Sequence, residues 1–594
     1  MLPPTLRVMW RRLWHHLSRR RKIQFGMLLI LSVFASFMEV FSLGALLPFL
    51  GVLVSPESIF QHERVQIVIK FLGVSSANEL LLPMTLLFIF AVISALCVRL
   101  LLVWANTRLT FATGADLSID IYQRTLYQPY TTHISRNSSE VISGVTTKSY
   151  HLIHNAILPT LTILSSTILI VMIVSALVAV RPLVSMLAFT GFAIIYVGVV
   201  RLTRSRLQKD SELIARESTN IIRVLQEGLG GIRDVLIDGT QALYCNTFRA
   251  ADMSLRRAEG NSTFIALSPR LAVEALGMTL IAVLAYQLST QTGGLVTAIP
   301  VLGMLALGAQ RLMPVLQQIY GGWVSIQSQL SSVMIALDLL DQPLPAHANQ
   351  TMPAPLPFRQ TLQMKEVGFC YAPGTTLVLK DISLSIGRGE RIGIIGTTGS
   401  GKSTLLDIAM GLLSPTVGQI IIDGVVLDEI NIRAWQANIA HVPQAIFLAD
   451  CSVAQNIAFG VAPQDINYER VRHAAQRAQL SDVIEAMPQG YKTFVGERGV
   501  RLSGGQRQRI GIARALYKRA SVIIFDEATS ALDNETEAEV IAAVQAIDVD
   551  VTILMIAHRL TTLANCTRIV ELERGQIKRM GSYAEIVQGL KDEH

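Results

Sequence analysis

The chain has 594 residues, of which 51% are hydrophobic and only 16% charged, against roughly a quarter charged in an average soluble protein. That balance excludes an ordinary water-soluble globule, and the crowding of apolar residues before about residue 325 points to a membrane half followed by a globular half. The net charge of +7 reads as a signal of membrane orientation and not of nucleic-acid binding, because the basic residues flank apolar segments instead of forming a face.

Seven basic residues and no acidic one (Arg7, Arg11, Arg12, Arg19, Arg20, Arg21, Lys22) precede the first long apolar run, which extends from about Ile23 to Val54. By the positive-inside rule this puts the N-terminus in the cytoplasm. The run far exceeds the roughly 7 to 15 residues of a signal-peptide core, and no small-residue cleavage site follows it, so it is expected to remain as a spanning helix. A span takes about 20 apolar residues. Six stretches meet that need, near residues 24–51, 81–106, 154–179, 182–203, 262–289 and 296–320. The third and fourth are joined only by Val180, Arg181 and Pro182, and the fifth and sixth by a short uncharged turn, so both joints are expected outside. The charged, helix-patterned segments at about 107–150 and 204–260 are then cytoplasmic extensions.

Between the first two spans, Ser55 to Val74 is amphipathic but too short to cross, with Val65, Ile67, Val68, Phe71 and Leu72 on one face. It reads either as a helix in the outer membrane interface or as a short packing helix in a loop. The proline-rich stretch Asp341 to Phe358 breaks periodicity and reads as a linker between a transmembrane domain, 1–340, and a globular domain, 359–594. Five cysteines with no C-x-x-C spacing read as free thiols, and the sequon at Asn137 falls in a segment placed inside the cell, where no glycan is expected.

Arg99, Arg270 and Arg311 interrupt otherwise apolar spans, each at a cost of roughly 2.5 to 3.5 kcal/mol, so each is expected to have a partner or a task. In the topology above all three lie toward the inner half of the bilayer. Two readings stand. The guanidinium groups line an inward-open cavity and bind a phosphate or pyrophosphate headgroup. Alternatively they pair internally, with Glu274 one turn beyond Arg270 or with Glu39 in the first span, or snorkel to the interface.

The globular half is organised around the loop Gly396, Thr397, Thr398, Gly399, Ser400, Gly401, Lys402, Ser403 and Thr404, which follows the apolar run Ile392 to Ile395 and fits G-x-x-x-x-G-K-[ST]. Its glycines let several N–H groups point into one hollow at the positive end of a helix, which suits a triphosphate. Lys402 would reach the terminal phosphates and the hydroxyl of Ser403 would ligate Mg²⁺. Farther on, an apolar strand ends in Asp526 and Glu527, one carboxylate for the metal's water shell and one to polarise an attacking water. Between them lies a second glycine-rich turn at a helix start, containing Ser503, Gly504, Gly505 and Gln506.

With Gln444 in HVPQ, Ser530 to Asp533 in SALD and His558 in IAHR, this order of motifs resembles the ATP-binding cassette family. The resemblance implies ATP and Mg²⁺ as ligands, and it assigns roles. Tyr371 is the aromatic residue stacking on adenine, and Gln444 senses Mg²⁺ and the γ-phosphate. Ser503 and Gly505 act on ATP held by a partner cassette, His558 is the switch histidine, and Asp533 bridges two cassettes. Gly496 to Gly499, GERG, resembles the loop by which exporters of the family couple cassette to membrane domain. In the membrane half, Ser32 to Leu50, Ser268 to Gly277 and Leu305 to Ile319 resemble the PglK-type flippases of lipid-linked oligosaccharides, in which arginines corresponding to Arg99, Arg270 and Arg311 lie in the cavity.

The expected architecture is therefore a membrane α-helical domain of six spans with long cytoplasmic extensions, followed by an α/β P-loop cassette. One chain carries one phosphate loop and one signature, so the expected assembly is a homodimer with two composite sites. The resemblance implies an inner-membrane, ATP-driven exporter or flippase of an anionic lipid-linked substrate, with both the N-terminus and the cassette cytoplasmic. A general exporter of lipids, drugs or peptides, and a non-pumping channel, remain as alternatives. The intact Glu527 and LSGGQ count against the channel.

Overall fold

Long runs of leucine, isoleucine and valine can satisfy their backbone only as helices where no water reaches. The computed structural model describes residues 4–54, 77–180, 182–289, 294–372, 374–527, 534–545, 547–557 and 559–592. The stretch Ser55 to Val74, the joint residue Arg181, Ser530 to Asp533 and His558 lie outside the described residues. The chain divides into two compact units, Met1–Gln128 with His133–Ala346, and Pro129–Thr132 with His347–His594.

In the first unit a short helix, α1 (Pro4–His16), precedes six long ones: α2 (Arg19–Val54), α3 (Leu81–Leu126), α4 (Leu158–Val180), α5 (Pro182–Gly230), α6 (Gln241–Ser289) and α7 (Gly294–Ser328). The six expected spans fall on these six rods, except that the third, 154–179, begins four residues before α4. Among the described residues, Arg19–Leu53, Leu81–Leu126 and Ser138–Ala176 are long and apolar enough to cross a membrane. A fourth is added if Gln310–Ser328 and Leu330–Leu340, bent by 62° at their break, count as one. Helices α3, α5 and α6 run for 46, 49 and 49 residues, more than twice what a span of about 20 requires. The surplus carries the charged segments expected to leave the membrane.

Pro269 sits inside α6, where it lacks the N–H that would bond the carbonyl of Ile265. The hydroxyl of Tyr320 in α7 donates to that carbonyl at 3.0 Å. Next to it, Gln317 Nε2 donates to the carbonyl of Ala266 at 2.8 Å. The break in α6 is thus covered by side chains of α7, and Tyr320 is buried at 4% exposure to make its bond.

Helix α1 is amphipathic, and Leu6, Met9 and Leu13 are buried in the same cluster as Val333, Leu337 and Leu340 of α8 (Leu330–Leu340). Polar contacts fix the register. Arg12 donates through Nε to Asp341 and through Nη2 to Asp338, each at 2.7 Å, and His16 Nε2 lies 2.6 Å from Asp341.

The second unit holds two sheets. The four-stranded antiparallel sheet runs in the order β2 (Leu379–Gly387), β1 (Thr361–Phe369), β4 (Val417–Ile422), β5 (Val425–Val426). The six-stranded sheet runs β10 (Gln576–Gly581), β9 (Arg568–Glu573), β3 (Arg391–Gly396), β8 (Thr552–Ile556), β7 (Val522–Asp526), β6 (Ile439–Val442). Strands β6, β7, β8, β3 and β9 are parallel, and β10 returns antiparallel on β9. A parallel sheet is covered on both faces, which is why β3, β7 and β8 read as unbroken apolar runs. Ile392, Ile394, Ile524, Leu554 and Val570 join Trp435 in one cluster, while Ile523, Phe525, Ile553 and Ile569 face a second cluster across the sheet. All the parallel strands end on one edge, so the loops after β3 and β7 meet there, where ligands of such sheets bind.

Candidate functional site

The phosphate loop leaves β3 and enters α9 (Lys402–Ala409) through glycines that no other residue could replace without strain. Gly396 has φ 147°, and a Cβ there would stand 2.2 Å from the carbonyl of Leu572. Gly401, at φ 101°, would meet the side chain of Leu379 at 2.7 Å. Gly399, at φ 81°, faces open space. The loop is braced from outside by Gly575, whose N–H donates to the carbonyl of Ser400 at 3.1 Å. Lys402 is 7% exposed and curls over its own loop, donating to the carbonyls of Gly396 at 2.9 Å and Thr397 at 3.0 Å.

The residues fit a nucleotide phosphate chain. Among the described residues, Lys402 has only backbone carbonyls as its hydrogen-bond partners and the hydroxyl of Ser400 is buried with no partner, while Ser403 is exposed at the start of the helix. Tyr371 is half exposed, stands edge-on to Phe369 with ring centroids 5.0 Å apart, and hydrogen-bonds Thr404 at 3.1 Å. That hydrogen bond ties the aromatic residue to the loop it is expected to serve.

Asp526 closes β7 and Glu527 follows it in a left-handed backbone, φ 50°. Burial raises the Asp526 carboxyl above the usual range and Glu527 adds to this, while Lys402 acts the other way. Gln444, after β6, donates through Nε2 to Glu527 at 2.8 Å. The glutamine expected to sense Mg²⁺ and the expected water-polarising carboxylate are therefore brought together within one chain.

The signature turn starts α10 (Gly504–Lys518) with a capping box. Ser503 Oγ accepts from the N–H of Gln506 at 3.2 Å, and Gln506 Oε1 accepts from the N–H of Ser503 at 3.0 Å. Gln506 is thus spent on the cap, leaving Ser503 and Gly504 exposed at the positive end of the helix and Gly505 buried. Farther along, Gln508 Nε2 donates to the carbonyl of Gln444 at 2.8 Å, joining α10 to the segment after β6. In the GERG loop Gly496, Arg498 and Gly499 all have positive φ, 76°, 52° and 69°.

Two residues at the site escaped the sequence reading. Asp407, half-buried in α9, is pushed up to about 6 by burial and by the charge of Asp526. Gln508 looked like one more polar residue of an amphipathic helix. Each owes its place to a partner more than 60 positions away in the chain, which no local pattern signals.

In the first unit Arg311 and Arg99 converge on one acceptor, Glu39 Oε1. Arg311 makes a close ion pair with it and Arg99 lies 3.7 Å away. The pairing alternative thus describes these two arginines. Arg270 and Glu274 make no ion pair among the described residues. A cavity of about 950 Å³, lined by residues such as Thr167, Tyr196, Arg201, Tyr320 and Trp323, is mostly apolar, and none of the three arginines lines it.

Residues 379–530 match the family described as ABC transporter. The ATP-dependent lipid A-core flippase of Cupriavidus metallidurans is 34% identical over 389 residues, 64% of this chain and 64% of that protein's own length. The match thus spans just under two thirds of that relative. The flippase of the same name from Thiobacillus denitrificans is 34% identical over 397 residues, 66% of this chain and 67% of that protein. Among solved structures, a bacterial Atm1-family ABC exporter with ATP bound superposes with a TM-score of 0.76 at 23% identity, covering 96% of each chain. The fold is that of an ABC exporter half-transporter, and the chain belongs to the ABC transporter family.

Proposed function

We propose that two copies of this chain form an ATP-driven flippase or exporter of an anionic, lipid-linked glycan in the inner membrane, with the cassettes in the cytoplasm. The observation that carries the substrate class is the cluster of Arg99 and Arg311, whose side chains stay 47% and 41% exposed although both lie in apolar helices. The relatives' printed activity, flipping of lipid A-core, supports an anionic glycolipid as a class. A lipid-linked oligosaccharide is the finer reading, supported by the resemblance of the membrane half. A lipid A-like lipid is the second, favoured by the names of the relatives.

At the cassette, the backbone of 396–404 and Lys402 would hold the nucleotide's phosphates, Tyr371 its base, and Ser403, Gln444 and Asp526 the Mg²⁺. Hydrolysis of the nucleotide supplies the free energy. Glu527 polarises the attacking water, His558 and Gln444 report the γ-phosphate, and Ser503, Gly504 and Gly505 with Asp533 belong to the partner copy's site. Arg270 is assigned to the headgroup site with Arg99 and Arg311, apart from the apolar cavity of about 950 Å³.

The test is ATPase activity of the purified protein in liposomes with a polyprenyl-pyrophosphate oligosaccharide, with lipid A, or with a neutral amphiphile. Stimulation by the first that is lost in Arg270→Ala and Arg311→Ala supports the oligosaccharide reading. Stimulation by lipid A alone moves the substrate to the second reading. Equal stimulation by neutral amphiphiles, indifferent to the arginines, leaves a general exporter.

A further inference from the structure

The geometry points to Glu39 as an internal counter-anion, a carboxylate that holds Arg99 and Arg311 while no headgroup is bound and yields them to the phosphate of an anionic headgroup. This rests on the headgroup reading above and adds a residue that sets the affinity and release of that ligand.

Glu39 lies in α2, Arg99 in α3 and Arg311 in α7, so three separate helices meet at one carboxylate. Glu39 is 5% exposed, whereas both arginine side chains keep more than 40% exposure. The acid is the inner member of the cluster and the guanidinium groups are its open side. Both arginines approach Glu39 through Nη1 and reach the same oxygen, Oε1. A guanidinium has five N–H donors, so most of the cluster's donors are not directed at Glu39.

Two cations against one anion leave a net charge of +1 inside an apolar helix bundle. A net charge set among apolar helices is costly without a counter-charge, so the open side of the cluster attracts a second anion. A phosphate oxygen accepts the same forked hydrogen bonds as a carboxylate, and the two compete for the same donors. The competition matters for transport. Two bare guanidinium groups would bind a diphosphate too tightly to release it, while recapture by Glu39 on the far side of the cycle weakens the hold. A salt bridge serving only to fasten three helices would contribute stability and leave ligand affinity alone.

The experiment uses the full-length protein in phosphatidylethanolamine vesicles, titrated with undecaprenyl pyrophosphate, with undecaprenol, and with inorganic pyrophosphate in solution. Wild type is compared with Glu39→Gln, Glu39→Asp, Arg99→Ala and Arg311→Ala. Loss of one charge-assisted competitor lowers the half-stimulating concentration by about tenfold. Glu39→Gln is therefore expected to respond at about one tenth of the wild-type concentration with a lower maximal rate, because release slows. Glu39→Asp, which keeps the charge but shortens its reach, shifts the same way by less, and it carries the test if the amide variant does not fold. Both arginine variants lose the response. The same shift with inorganic pyrophosphate also supports the counter-anion and names a free phosphate compound as its competitor. If the arginine variants lose the response while both Glu39 variants keep the wild-type half-stimulating concentration, Glu39 is a strut and only this inference falls. If undecaprenol stimulates as well as its pyrophosphate and the arginine variants behave as wild type, the headgroup reading falls and takes the inference with it.

Discussion

The side-chain amide of Gln444 donates to the carboxylate of Glu527 at 2.8 Å, across 83 positions of sequence. Glu527 reaches this place in a left-handed backbone conformation, φ 50°, which costs a non-glycine residue on the order of 1 to 3 kcal/mol. The surrounding sheet holds it there: Asp526 is in register with Ile556 of β8, and the N–H of Glu527 donates to the Ile556 carbonyl at 3.1 Å. Strain of this kind persists only where neighbouring structure over-determines it, and such positions cluster at functional sites.

Glu527→Gln is the direct test of that assignment. The amide fills the same space and can still meet Gln444, so ATP binding is expected to persist. Removal of a general base lowers turnover by roughly 10²- to 10⁴-fold. Fluorescent-nucleotide binding beside phosphate release reads the two apart, and a variant that hydrolyses ATP at the wild-type rate removes Glu527 from the role.

Asp407 gives the cassette a pH signature. Its folded-state pKa, pushed up to about 6 by burial and by Asp526, exceeds the ordinary value of 3.8 that holds when the chain is unfolded. Between those values the folded state binds more protons than the unfolded one, so the contribution of Asp407 to stability falls as pH rises from about 4 to 6 and stays low above that range. Asp407→Asn cannot ionise and avoids the penalty. Without nucleotide, the full-length variant is expected to melt several degrees above wild type at pH 7.5, with the gap narrowed to about a third near pH 4.5. An equal gap at both pH values would show that the carboxyl is not strained by its charge.

The motifs that carry the cassette were legible in sequence because each is local: a glycine loop after an apolar strand, two carboxylates at a strand end, a serine that caps a helix. The rods of the membrane half were legible for the same reason, since each is one continuous apolar run. What could not be read were the partners of those elements. Glu39 could be named as one of two pairing alternatives, but the convergence of both Arg99 and Arg311 on it depends on how three helices pack. Asp407 and Gln508 looked like ordinary helix residues until the sheet order put Asp526 and Gln444 beside them. Nothing near Pro269 in sequence named Tyr320 as the donor that serves the Ile265 carbonyl.

Trp435 fastens the region under the phosphate-loop helix. It is fully buried, its indole N–H donates at 2.8 Å to the carbonyl of Ala409 at the end of α9, and its ring meets Phe358 edge-on at 5.6 Å. Trp435→Phe keeps much of the volume but leaves that carbonyl unsatisfied, at an expected cost of about 1 to 3 kcal/mol. Trp435→Ala adds a cavity and is expected to cost about 3 to 5 kcal/mol. Thermal unfolding of the two variants should rank them in that order below wild type. A phenylalanine variant as stable as wild type would mean that the Ala409 carbonyl finds another donor.

The pairing of Tyr320 with the Ile265 carbonyl can be tested by a cycle of two substitutions, because its cause is a missing hydrogen bond and not the tyrosine's bulk. With Pro269 present, the carbonyl has no helical donor, so Tyr320→Phe strands a buried acceptor and is expected to destabilise the first unit by about 1 to 3 kcal/mol. Pro269→Ala restores an N–H one turn away. In that background the same tyrosine substitution should cost less than about 1 kcal/mol, since the acceptor is already satisfied. Melting of the four proteins in detergent gives the coupling energy, and independent, additive effects would show that the hydroxyl is not there to serve the proline.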